Sequence, residues 1–136
     1  MRIAAVGLTL VALPALGADA PDMIGKWTGT SRAVVVGSGG HYGAGDVSPQ
    51  FRSAELTIEW TDQDDGRLIG TITSSGATEP KIAVLSTDGE TLVTADSDGT
   101  SVGRIIDPDH FELCYTQSSA GDDQMVASCV TFARVE

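Results

Sequence analysis

Phe111-Glu-Leu-Cys-Tyr-Thr-Gln117 and Met125-Val-Ala-Ser-Cys-Val-Thr-Phe-Ala-Arg134 read as two arms of one hairpin, turned at Gly121-Asp122. Gly followed by Asp at the tip suits the backbone angles of a tight turn. Pairing outward from it sets Cys114 opposite Cys129, Leu113 opposite Val130, Phe111 opposite Phe132 and Tyr115 opposite Ser128. Side chains alternate along a strand, so Phe111, Leu113, Tyr115, Val126, Val130 and Phe132 share one face and the two cysteines share the other. One register satisfies both the apolar pattern and a disulfide. That bond would close a ring of about fifteen residues and contribute roughly 3 kcal/mol.

The rest of the chain fits an exported protein. Met1-Arg2 precedes an apolar run from Ile3 to Leu16 and the small residues Gly17-Ala18, the pattern of a signal peptide covering residues 1–18. The run is too short to span a bilayer. Cysteines in an exported chain usually pair, two free buried thiols being the other arrangement. Residues 19–136 are then a single domain. The formal net charge is −11, and loss of Arg2 with the signal peptide takes it to about −12. Such a surface repels nucleic acid and anionic membranes and steers basic partners toward it. A periplasmic or secreted location follows, with no membrane association after cleavage.

No sustained helical period follows residue 18. Runs of Val, Ile, Thr and Leu alternate with turn residues. They give strands at Lys26–Val36, Phe51–Trp60, Arg67–Ser74, Lys81–Ser86, Glu90–Asp96 and Thr100–Ile106 ahead of the final hairpin. Eight short strands joined mostly by tight turns read as an all-β, antiparallel up-and-down meander. Closing it into a barrel removes both sheet edges, and a two-layer sandwich is the other arrangement.

Turn centres carry the inward face backwards through the chain. One layer is Leu85, Leu92, Ile105, Phe111 and Phe132, a plugged end. The next is Ala83, Thr94, Gly103, Leu113 and Val130, where three small side chains leave space. The third, Lys81, Asp96, Ser101, Tyr115 and Ser128, is polar and lies at the end that carries the Gly-rich loop 37–46. A roomy interior with converging polar groups is a ligand site. A solvated rim is the plain alternative. The Gly-rich loop, with His41 and Tyr42, would be its lid.

Other motifs fail on spacing. The Gly-rich loop lacks the Lys-Ser/Thr of a phosphate loop, and Tyr42 stands where a dinucleotide fingerprint needs Gly. Asp62-Gln-Asp-Asp-Gly66 lacks the distal Glu of a calcium loop. His41 and His110 fall at opposite ends, so no metal site and no cofactor is expected. Lys81 with Ser101 or Tyr115 offers an activated nucleophile in principle, but an ion pair of Lys81 with Asp96 accounts for them more simply.

Gly25-Lys-Trp-Thr28 at the start and Phe132-Ala-Arg-Val135 at the end resemble the terminal signatures of the calycin barrels. Their wording, with Gly66-Arg-Leu-Ile-Gly-Thr-Ile72, is most similar to the avidins. The resemblance implies an eight-stranded barrel in which Arg134 lies over Trp27 at closure. It argues against biotin, because Gly29 and Ala33 stand where avidins place polar ligand contacts, and Trp27 and Trp60 are the only tryptophans. The resulting expectation is a non-enzymatic barrel binding a small molecule or a partner's loop. The alternative is an inhibitor of a cationic secreted enzyme, of the lysozyme- or protease-inhibitor type, acting through the acidic surface; Ser38-Gly-Gly-His-Tyr42 is similar to a Ser-Gly-x-x-Tyr motif of one lysozyme-inhibitor family but sits in a different part of the chain.

Overall fold

The computed structural model describes residues 19–38, 40–43, 45–118 and 124–136. The signal peptide expected at 1–18 and the turn expected at Gly121-Asp122 lie outside the described residues. Eight strands form the domain: β1 (Gly25–Val36), β2 (Gln50–Asp64), β3 (Arg67–Thr73), β4 (Thr78–Leu85), β5 (Thr91–Ala95), β6 (Thr100–Asp107), β7 (His110–Ser118) and β8 (Met125–Arg134). Each pairs antiparallel with its sequence neighbour, and β8 returns to β1, so the sheet is a closed up-and-down barrel. This is the architecture that the calycin resemblance implies, and it excludes the sandwich.

The last hairpin has the expected register, with Cys114 opposite Cys129, Tyr115 opposite Ser128 and Phe111 opposite Phe132. The cysteines are bonded on the outer face. Two strands run further than their patterns suggest. β2 continues to Asp64 past a bulge at Thr61, leaving Asp65, at φ 54°, to make the turn with Gly66. β4 starts at Thr78 and takes in Pro80 opposite Thr71.

One register departs from expectation. Across the β5–β6 turn Leu92 faces Gly103 and Thr94 faces Ser101, whereas a turn at Asp98-Gly99 would put Leu92 opposite Ile105 and Asp96 opposite Ser101. The Asp96 carboxylate captures the Gly99 N–H at 2.9 Å, and the chain therefore reverses around Ser97-Asp98. The slip is by an even number, so each side chain keeps its face while its neighbours change.

The second correction concerns space. A Cβ added at Gly103 would lie 1.7 Å from the carbonyl oxygen of Glu112 and 2.8 Å from Leu113 Cα. The missing side chain is replaced by β7 backbone and leaves no room for a ligand. Trp60, which is buried, covers Gly70 in the same way.

At the plugged end Trp27 is fully buried, with its ring edge-on to Phe111, which stacks on Phe132. The indole Nε1–H donates to the Met23 carbonyl at 2.9 Å. The Arg134 guanidinium sits 4.1 Å from the indole centre and donates to the carbonyls of Asp22, Ile24 and Pro108. Arg134 thus ties the segment before β1 to the β6–β7 turn and to the core. Arg134→Ala is expected to cost about 2–4 kcal/mol, because it removes the charged hydrogen bonds and the cation–π attraction in one step. Guanidinium unfolding measures it, and a loss below about 0.5 kcal/mol, the range of an ordinary surface substitution, would show that the clamp carries no weight.

Candidate functional site

Strand directions bring the 37–46 loop, the β3–β4 connection and the β5–β6 turn to the end opposite Trp27. There His41, Tyr42, Lys81, Asp96, Ser101, Tyr115 and Ser128 all line one cavity, together with the apolar walls Leu56, Ile72, Leu113, Val130 and Phe132. Every residue that the sequence nominates for ligand contact is brought together here. The volume open to the centre of a water molecule is about 30 Å³, enough for one or two waters. The hollow expected from small interior residues is narrowed by the β7 backbone at Gly103 and by the side chains of Lys81 and Tyr115.

Lys81 forms the floor. It is inward-facing on β4 opposite Gly70, and its side chain is 1% exposed. The ammonium donates to Asp96 Oδ2 at 2.9 Å and has no other hydrogen bond among the described residues. Asp96 Oδ1 accepts from the N–H groups of Gly99 and Asp98 and, at 3.4 Å, from the Tyr115 hydroxyl. A Cβ on Gly99 would meet that phenol oxygen at 2.6 Å, so glycine here lets the ring lie against the turn. Thr94 Oγ1, on the inner face beside Ser101, and Trp60 Nε1 are buried without a hydrogen-bond partner among the described residues.

The Tyr115 phenol is pushed far above the usual tyrosine range, first by burial and then by the carboxylates of Asp96, Asp98 and Glu79. The folded protein therefore holds this proton more tightly than the unfolded chain does. The stability it contributes is complete below the unfolded value of about 10 and is lost as pH rises beyond it. Absorbance titration at alkaline pH is expected to show a phenol step above the ordinary range that Tyr115→Phe removes. A single step near 10 in the folded protein would contradict this.

The lid is latched. A short 3-10 turn, Gly40–Tyr42, carries both its contact residues. His41 Nδ1 lies 2.8 Å from Ser74 Oγ, and Nε2 lies 3.1 Å from Glu79 Oε1. The Tyr42 hydroxyl donates to the fully buried Ser31 at 3.0 Å. Ser97 donates to the other Glu79 oxygen, so one carboxylate joins the lid to the β5–β6 turn. Ser31, Ser74, Glu79 and Thr94 escape a reading from the sequence as site residues. Alternation from Trp27 puts Ser31 inside β1, but Glu79 sits in what reads as a loop before Pro80.

No family model matches the chain, and no curated protein sequence matches it. Among solved structures it is similar to an S-type phycobiliprotein lyase from Guillardia theta. The likeness covers 84% of this chain and 89% of that one, at 12% identity and a TM-score of 0.47. The expectation of a non-enzymatic protein is corrected, because a barrel fold by itself does not place a chain outside catalysis.

Proposed function

We propose that this is an exported binding barrel that holds a small, electrically neutral molecule between the Lys81–Asp96 pair and the His41–Tyr42 lid. The observation that carries the reading is the Lys81 ammonium, buried at the cavity floor with one of its three N–H donors used among the described residues. A buried ion pair is a poor source of stability compared with apolar side chains of the same volume. Its value here lies in donors held ready for an acceptor, with the Ser101 and Ser128 hydroxyls beside them. Apolar walls with a few convergent polar groups fit a ligand with an apolar body and one carbonyl or hydroxyl.

The charge balance selects for neutrality. Asp96 already cancels Lys81, so a carboxylate ligand would add an uncompensated buried charge close to Asp98 and Glu79. A molecule larger than two waters enters with the lid lifted and the latches of His41 and Tyr42 released. Export rests on the signal-peptide pattern, and the Cys114–Cys129 bond supports an oxidising compartment.

Titration by heteronuclear NMR with a matched alcohol, ketone, carboxylate and amine of one apolar skeleton tests the reading. The alcohol or ketone is expected to shift resonances of Ser101, Tyr115 and Ser128, with much weaker effects from the carboxylate. Preferred carboxylate binding, or no response to any of the four, would sink it.

A further inference from the structure

Apolar side chains are spread unevenly over the outer surface of the barrel. On β1 and β2 the outward positions hold Lys26, Thr30, Arg32, Glu55 and Glu59, with Lys26 and Glu59 paired at 3.9 Å, and one exposed apolar pair, Val34 opposite Phe51. Round the barrel, the outward positions of β3, β4, β5 and β6 hold Ile69, Ile82, Val84, Val93 and Val102, all between 51 and 59% exposed. They are neighbours by register: Ile69 faces Ile82, Val84 faces Val93, and Val93 faces Val102. Pro80 and Ala95 fill in around them. Arg67, which pairs with Asp64, and Arg104 border the wall. Outward positions on these four strands carry no carboxylate until Asp107 at the very end of β6, although the chain has 19 acidic residues.

We infer that this wall is a self-association surface, occupied by the same wall of a second copy of the chain. Two properties point to that occupant. First, the acids that would recognise a basic partner are excluded from the wall and crowd the rest of the surface, so the face is suited to another apolar face. Second, five contiguous side chains are each more than half exposed, and a two-fold pair doubles that apolar area toward the roughly 1,000 Å² at which a specific interface begins. A patch of β-branched residues with no charge at its centre can meet its own image across a two-fold axis, as an isologous contact requires.

Because each copy carries a net charge of −11, the pair assembles against mutual repulsion. Association is therefore expected to strengthen with added salt, whereas attraction between an acidic protein and a basic one weakens.

Sedimentation velocity on the purified protein over about 1 to 100 μM, where an interface of this size associates, tests the inference. The expected result is a monomer–dimer equilibrium shifted toward dimer by sodium chloride. Val93→Lys, at the centre of the wall, is expected to weaken it at least tenfold. Thr57→Lys, the same charge change on the outer face of β2, should leave it intact. Near-UV circular dichroism of Trp27 and Trp60 reports whether each variant is folded, and Val102→Lys replaces Val93→Lys if that chain is not. A protein monomeric throughout the range at high salt overturns the inference, as does a dimer indifferent to folded wall variants. Monomer that instead floats with phosphatidylcholine vesicles also overturns it and gives the wall to a lipid surface.

Discussion

Lys81→Met is expected to cost about 3–5 kcal/mol, because it leaves the Asp96 carboxylate buried without its cation. The side chain keeps its length and loses only its charge, so little of that loss comes from packing. Against the 5–15 kcal/mol that holds a small domain together, the variant should be barely folded. Adding Asp96→Asn should restore most of the stability, since Asn keeps the Oδ1 acceptor that the Gly99 N–H uses and no longer needs a counter-charge. The double variant is therefore the informative protein. It should unfold near the wild-type denaturant midpoint, yet lose response to the alcohol and ketone probes. If the double variant is as unstable as Lys81→Met, the ion pair is not what the single substitution breaks. If it is stable and still binds, Lys81 does not make the ligand contact.

Gly103→Val should prevent the barrel from folding, and even Gly103→Ala should cost more than about 4 kcal/mol, the range reserved for backbone or core disruption. The reason is geometric: the first side-chain carbon would lie 1.7 Å from the Glu112 carbonyl oxygen. β6 and β7 can admit it only by parting, which breaks the ladder that positions Tyr115. Val102→Ala, one residue away and outward-facing, should change stability by about 0.5 kcal/mol or less. Thermal unfolding of the two alanine variants side by side is the measurement. A Gly103→Ala protein melting within a few degrees of wild type would mean that β6 and β7 lie further apart than described.

Gly103 also shows where a reading of the sequence stops. Alternation and turn centres are local properties, so they place inward residues correctly on β4 to β8, down to the convergence of Lys81, Asp96, Ser101, Tyr115 and Ser128. They give no depth. Whether a glycine leaves a hole or admits a neighbouring strand depends on how closely two backbones approach, and that is set by the coiling of the closed sheet. The same gap hides Trp60: its side is readable from Ala54, Leu56 and Ile58, but its lie across Gly70 is not. Asp96 marks a second limit. Asp-Gly is a sound turn signal at Asp88-Gly89, where the expected register holds. At Asp98-Gly99 a carboxylate two residues earlier competes for the Gly99 N–H and moves the turn. The lid is legible as a loop over the mouth, but its latches are not, because Ser31 lies in β1 while Ser74 and Glu79 flank the β3–β4 turn, far along the chain.

The pairing of β1 with β8 has one more consequence. Ribosomes deliver this polypeptide from its amino end, so the strand holding Trp27 emerges long before Arg134 exists to cover it. Its free edge stays open until the closing strand has been made, and pairings between such distant stretches form slowly. The barrel can close only after β8 has been made.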